Sequence, residues 1–353
     1  MNWWQRLSHR PFFIRLFNWE YWNFHTVYLC IYPIWFLLCL RVRSLFFFSA
    51  SNPTIENGGF LMESKKKIYD IMPREYYPGT ILIHPGESPQ TISERVRATG
   101  FSYPMIVKPD IGGKGRGVKK VHNEDELLTY IQKFPFDMLV QEFVHFEEEV
   151  GIFYYRYPDE ENGHISGIVG KQFLKVTGDG KSTIDELLRK EKRYILQLGA
   201  LHELLGEGLK EVIPAGVERV LVPYGNHARG ALFIDYSGMT DEKLERAIDE
   251  VCKKVPGFYF GRLDIRYNTI EKLKEGKEFS IIELNGAGSE PTHMYDPRHS
   301  LFFAWKLIIQ HWMILWRISR RNHAKGVPYM SMKDGIKMFR DTRVYDRMLD
   351  ELI

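Results

Sequence analysis

A chain of 353 residues, 44% hydrophobic and 26% charged, can bury a sizeable core, and its length allows two or three domains. A formal net charge of only +3 argues against a nucleic-acid binder, so no such partner is expected. The three cysteines, Cys30, Cys39 and Cys252, are odd in number and lack metal-ligand spacing, which argues against a disulfide framework or zinc site and for a reducing, cytoplasmic setting.

In chain order, the first notable stretch is "YWNFHTVYLCIYPIWFLLCL", Tyr21 to Leu40. It holds no Asp, Glu, Lys or Arg, and is bracketed by Arg6, Arg10 and Arg15 before and by Arg41 and Arg43 after. Its length just reaches across a hydrocarbon core of about 30 Å, but Pro33 interrupts a helix and Asn23 and His25 lie inside the run. The preferred reading is a segment on or dipping into the cytoplasmic leaflet; a true span and a buried core helix are the alternatives. "SLFFFSA" then reads as a strand and "SNPTIENGG" as a loop. Residues 1–60 are therefore expected to form an apolar, membrane-associated segment.

From about residue 61 to 300, strand-like runs alternate with helical ones: "TILIHP", "PMIVKPD", "FDMLVQEFV", "EVGIFYYRY", "HISGIVGKQFLKV", "GFYFGRLDIRY" and "FSIIELNG". The pattern predicts an α+β enzyme core. Thr183 with Glu186 forms a capping box, and Thr240-Asp241 opens a helix with Leu244, Ile248, Val251 and Val255 on one face. The last part, 301–353, is an amphipathic helical tail. Its Trp-rich start, Leu301 to Lys325, resembles an interfacial helix and reads equally as a core helix.

Three stretches carry chemistry. "MIVKPDIGGKGRGV" ends a strand on Lys108 and continues into a loop with Gly112, Gly113, Lys114, Gly115 and Gly117; bare backbone NH groups and directed positive charge suit phosphate, although an exposed turn reads the same. Pro109 and the missing G-K-[ST] ending exclude a Walker A loop in favour of a hairpin between strands. In "GRLDIRY", alternation puts Arg262, Asp264 and Arg266 on one face; in "IIELNGAG" it groups Glu283 with Asn285 and sends Ile282 and Leu284 to the core. If these strands pair, Asp264, Glu283 and Asn285 converge as hard oxygen ligands suited to magnesium, the alternative being a solvated charged face. Between them, Glu142 closes a strand, Phe143 and Val144 present backbone to an adenine edge, and Glu149 is placed for ribose hydroxyls. Alone, either glutamate also reads as a surface charge.

Together these ordered motifs, from about Glu63 to Pro297, resemble the ATP-grasp superfamily of carboxylate-amine ligases, which includes the D-Ala-D-Ala ligases and the cyanophycin and glutathione synthetases. The resemblance implies two α/β subdomains that clamp ATP, with a glycine-rich lid at about 101–145. It points to Lys65 in "MESKKKIYDIMP" as a first ATP lysine and Lys108 as the second. It also implies Arg262 against the transferred phosphate, and Asp264, Glu283 and Asn285 on magnesium, with manganese a possible substitute. "KVTGDGKSTIDELL" is similar to a cyanophycin-synthetase segment, and Asn226 and Arg229 of "YGNHARGA" are implied in substrate contacts. The usual domain ahead of the ATP lysine is replaced by the aromatic segment, so the acceptor is not expected to be that of D-Ala-D-Ala ligase.

The resemblance implies amide formation between a carboxylate and an amine through an acyl phosphate; the aromatic and basic segments at both ends point instead to the setting, beside the inner membrane face and with a lipid-linked or envelope-associated substrate. A phosphotransferase and a non-catalytic nucleotide-binding scaffold are the alternatives.

Overall fold

A computed structural model describes residues 10–113, 115–222 and 231–353. The N-terminal part is helical: α1 (Pro11–Phe17), α2 (Phe24–Tyr28) and α3 (Tyr32–Val42). Asn23 caps α2 by accepting from the His25 amide at 2.9 Å. Pro33 does not interrupt a helix as expected. It lies in the first turn of α3, where a missing NH costs nothing, and the apolar run is broken instead between α2 and α3. No helix of the described residues is long and apolar enough to cross a membrane. "SLFFFSA" is a 3₁₀ turn at Phe47–Ala50 rather than a strand, because Phe47 and Phe48 are both buried and a strand would turn one of them outward.

Downstream lie α4 (Lys65–Ile71), β1 (Thr80–Ile83), α5 (Pro89–Thr99), β2 (Met105–Pro109), β3 (Lys119–Val121), α6 (Glu124–Ile131) and β4 (Met138–Glu142). The side chains of Ser64, Ser88 and Asn123 cap the three helices. The four strands form an antiparallel sheet in the order β1-β4-β2-β3. The glycine-rich stretch is thus the hairpin loop between β2 and β3.

Next come β5 (Glu148–Tyr155), β6 (His164–Gln172), β7 (Leu174–Thr177), α7 (Ile184–Lys190), α8 (Lys192–Ile195), α9 (Leu198–Leu205), β8 (Glu218–Val222) and β9 (Leu232–Asp235). They are followed by α10 (Glu242–Lys253), β10 (Phe260–Tyr267), α11 (Ile270–Lys274), β11 (Phe279–Asn285), α12 (Leu301–Ala324) and α13 (Met332–Leu352). The strands β3, β8 and β9 are not among the runs read from the sequence.

The chain divides into two units. The larger comprises residues 34–168, 236–291 and 308–353; the smaller comprises 1–33, 169–235 and 292–307. In the larger unit β11, β10, β5 and the start of β6 are hydrogen-bonded neighbours. Behind them Leu244, Ile248, Val251 and Cys252 of α10 join Ile152, Leu263, Ile265, Ile281 and Leu284 in one apolar core. A second core joins Met105, Val107, Val121, Leu127 and Val140 to Tyr345 and Leu349 of α13. Leu315, Trp316 and Ile318 of α12 are buried in a third, while Lys306, Gln310, Arg317 and Arg320 are exposed, so the Trp-rich stretch is a core helix whose outer face is polar apart from Phe302. In the smaller unit, β7 and β8 form a ribbon over α7 and α9, and Leu174, Val176, Ile184, Leu188 and Leu201 pack together.

Candidate functional site

The site is built on the face that β5, β10 and β11 share in the larger unit. Strand pairing sets Asp264 directly opposite Glu283 and Arg262 opposite Asn285, with Phe153 and Glu149 of β5 opposite Arg262 and Arg266. Opposed residues on neighbouring strands project to the same side, so all of these groups lie on one face. Gly261 makes the approach of β10 and β11 possible: a Cβ there would lie 2.1 Å from the Asn285 carbonyl oxygen. One detail departs from simple alternation. A bulge after Asp264 pairs Ile265 with Ile281, so Ile281 and Leu284 enter the core and Ile282, expected there, is only partly buried.

Two carboxylates side by side repel unless positive charge lies close. Arg262 supplies part of it, donating to both Asp264 oxygens at 2.7 and 3.0 Å while its guanidinium sits 5.7 Å from the Phe153 ring. Burial opposes the charge on Arg262, but Asp264, with its hydrogen bonds, and then Glu283 and Glu290 outweigh it and hold the arginine protonated. Lys65 supplies the rest. Its ammonium is 3.5 Å from Glu283 Oε1 and donates to the Gly112 carbonyl, so one lysine bridges the glycine-rich loop and the carboxylate pair.

Lys108 reaches the same strand from β2. Buried, it donates to Gln141 Oε1 at 2.9 Å, to the Tyr69 hydroxyl at 3.0 Å and to the Ile282 carbonyl at 3.1 Å. Tyr69 also donates to that carbonyl, at 2.6 Å, which the bulge leaves available. Burial lowers the Lys108 pKa to about 8, against the pull of Glu283, Asp110 and Asp264.

The loop is shaped by its glycines and held from outside. Gly117 has a left-handed φ of 67°, and a Cβ on it would come within 2.8 Å of the Pro109 ring. Gly112 and Gly115 are also left-handed, and Gly113 has open space around it. Lys114 lies outside the described residues. The Tyr345 hydroxyl of α13 donates to the Ile111 carbonyl at 3.0 Å, and Arg116 pairs with Asp346 and, at 3.0 Å, with Asp350.

At the end of β4, Glu142 Oε2 accepts from the Gly79 amide at 2.6 Å. The Phe143 ring lies 3.9 Å from the Lys120 ammonium, and the Val144 carbonyl accepts from Arg266 at 3.5 Å. Glu149 is buried and accepts from Arg266 at 3.3 Å, and Arg266 also donates to the Phe146 carbonyl. Arg266 thus ties the 143–147 connection to Glu149. Asn226 and Arg229 lie outside the described residues.

Sequence reading assigns no role to four participants: Tyr69, Gln141, Arg266 and Glu63. Only Arg266 left a trace, in its alternation with Asp264. Burial pushes the Glu63 carboxyl above the usual range, opposed by a backbone amide and Lys65 and reinforced by Glu283 and Glu56. Its Oε2 is buried without a hydrogen-bond partner among the described residues.

The donor set fits a divalent cation in kind. Asp264, Glu283 and Asn285 are hard oxygen carriers on one face. Among the described residues there is no group of three or more His, Cys, Asp or Glu side chains that could hold a metal ion. The set is two carboxylates and an amide, which suits an ion that also takes phosphate oxygens and water.

No protein-family model matches the chain. It is 26% identical over 157 residues to a formate-dependent phosphoribosylglycinamide formyltransferase of Sulfurisphaera tokodaii, a match covering 38% of this chain and 37% of the relative. Among solved structures it is similar to a bifunctional glutathione synthetase from Pasteurella multocida at 14% identity and a TM-score of 0.41, over 74% of this chain and 36% of that one. Similarity to the VanG D-Ala:D-Ser ligase from Enterococcus faecalis is at 15% identity and a TM-score of 0.38, over 70% and 61% of the two chains. For a D-alanine–D-alanine ligase from Bacillus anthracis the values are 14%, 0.41, 74% and 69%. The chain spans little more than a third of the length of the formyltransferase and of the glutathione synthetase.

Proposed function

We propose that the chain is an ATP-dependent, ADP-forming carboxylate-amine ligase that makes an amide through an acyl phosphate, working beside the cytoplasmic face of a membrane. The observation that carries this reading is the meeting of Lys65 and Lys108 at β11: one lies 3.5 Å from Glu283 and the other 3.1 Å from the Ile282 carbonyl, next to the Asp264–Glu283 pair. A phosphate chain and its counter-ion need cations, carboxylates and backbone NH groups within a few ångströms of each other.

In this reading a substrate carboxylate oxygen attacks the γ-phosphorus, the bond to ADP breaks, and the amine nitrogen then displaces phosphate from the acyl carbon. Lys65, Lys108 and the amides of the glycine-rich loop hold the phosphates, and Arg262 meets the charge that develops on the transferred group. Asp264, Glu283 and Asn285 would hold magnesium or manganese, which when bound supplies charge neutralisation at phosphate oxygens. Glu142, Phe143, Val144 and Glu149 frame the nucleoside, and Asn226 with Arg229 contact substrate. The loop also keeps water from the acyl phosphate. The substrates are proposed as classes, one carboxylate and one amine, either of them lipid-linked. For the membrane setting, the support is α3, which turns Phe36, Leu37 and Leu40 outward beside Arg41.

The test is ADP release with pooled carboxylates and amines, with and without lipid extract, followed by hydroxylamine trapping. A hydroxamate supports the ligase. A stable phosphorylated product instead identifies a kinase, and no ADP release with any pool would favour a nucleotide-binding scaffold.

A further inference from the structure

Helix α13 has two faces of different chemistry. Gly335, Met338, Tyr345 and Leu349 are buried on the inner one, and two of its acidic residues, Asp346 and Asp350, are drawn to Arg116 of the glycine-rich loop. The outer face mixes apolar and cationic side chains. Ile336, Phe339, Arg340, Arg343, Val344 and Arg347 line a shallow depression of about 610 Å³, with Ile336 59% and Val344 62% exposed. The spacing of these residues follows the helical repeat, so they form one stripe.

The buried inner face of the helix packs on the segment that follows α3. The Phe46 ring lies 6.3 Å from that of Phe339 and fills the space over Gly335, where a Cβ would be 2.3 Å from it. Just before Phe46, Leu45 and Arg43 are exposed, and α3 upstream exposes Leu40 and Arg41. Apolar side chains clustered on one exposed face are the usual mark of a contact surface.

We propose that this outer face of α13 docks on an anionic lipid bilayer, with Ile336, Phe339 and Val344 entering the acyl boundary and Arg340, Arg343 and Arg347 meeting lipid phosphates. The inference deepens the membrane part of the proposed function and rests on it. An apolar stripe interleaved with cations is the pattern an interfacial helix needs; of the helix's acids, Asp346 and Asp350 pair with Arg116, and Asp341 lies 3.3 Å from Arg340. A second copy of the chain fits poorly, because a two-fold contact would set the arginines of one stripe against those of the other. The helix that meets the membrane is then the one whose inner face anchors the glycine-rich loop.

The test is flotation of the full chain with vesicles of phosphatidylcholine alone and of phosphatidylcholine mixed with phosphatidylglycerol. Retention on the mixed vesicles only is expected, weakening with salt, and falling about tenfold or more both in Ile336→Glu/Phe339→Glu and in Arg340→Glu/Arg343→Glu. The substituted positions are exposed, and unchanged circular dichroism would confirm that the variants fold. A Phe36→Ser/Leu37→Ser/Leu40→Ser variant separates the surfaces. If it loses retention while both α13 variants keep it, the membrane setting survives and this inference fails. Equal retention on both vesicle types, or retention on neither with capture by a polyglutamate peptide instead, would also overturn it. ADP release is measured separately, so loss of docking with turnover intact leaves the ligase reading standing.

Discussion

Two stretches of this sequence advertise chemistry in the same way, and the structure treats them differently. "KVTGDGKSTIDELL" and the pair "GRLDIRY" with "IIELNGAG" both set charges and glycines among apolar residues. In the first, the turn and cap close on near neighbours, while Lys175 with Glu218 and Asp185 with His202 reach further. Asp179 accepts from the Lys181 and Ser182 amides at 3.0 and 2.6 Å and from Lys190 at 2.9 Å, and Thr183 with Glu186 closes the capping box of α7. In the second, strand pairing sets Asp264 opposite Glu283; Asp264 is bonded by Arg262 of its own strand, while Lys65 and Lys108 reach Glu283 and the Ile282 carbonyl from two further segments. A charged motif whose bonds close within a few residues is a turn and a cap. One whose bonds need distant segments is a candidate site.

That comparison can be sharpened by substitution, starting with the largest effect. Glu283→Gln removes a charge from the pair while keeping its shape, and ADP release should fall about a hundredfold or more. Its melting temperature should barely move, because the side chain is partly exposed and its contact with Lys65 is long. Gly261→Ala tests the geometry that brings the two strands together. The added methyl meets a carbonyl oxygen of the neighbouring strand rather than a flexible side chain, so unfolding in urea should show a loss of about 3 kcal/mol.

Lys108 gives a pH signature. Its folded pKa of about 8 lies below the unfolded value near 10.5, so between these the unfolded chain binds more protons and stability rises with pH. Nucleotide affinity should run the other way, weakening as pH climbs through about 8 and the ammonium is lost, and Lys108→Met should abolish this slope. The smallest effect belongs to the turn. Asp179→Ala should lower the melting temperature slightly and leave nucleotide affinity unchanged; a large loss of affinity would show that the two stretches are not as different as their hydrogen bonds suggest.

Much of the architecture was legible because strand alternation and helix caps are local. The seven strand-like runs after residue 60 all contain strands, and the pairing that faces Asp264 with Glu283 follows from period-two alternation in both segments. What the sequence hid is long-range. Nothing local marks the bulge that turns the Ile282 carbonyl toward Lys108 and Tyr69. Nor does anything mark Asn52, fully buried, whose side chain donates to the Gly58 and Phe260 carbonyls and accepts from the Tyr259 and Phe260 amides. Loop and N-terminal residues were misread for a related reason. "SLFFFSA" has strand composition but buries consecutive phenylalanines, and Pro33 begins a helix because its position in the turn, not its identity, decides the outcome. The second arginine, Arg266, was placed on the right face, yet its partner Glu149 comes from another strand and could not be paired with it by spacing.

The central claim is that Lys65, Lys108 and the Asp264–Glu283 pair together hold a nucleotide triphosphate with its counter-ion. Calorimetric titration of a non-hydrolysable ATP analogue, with and without magnesium, tests it most directly. Saturable binding that strengthens with magnesium, and weakens about tenfold or more in Lys108→Met and in Asp264→Asn, is the predicted result. Binding that ignores both substitutions and the metal, or no binding at all, would contradict it.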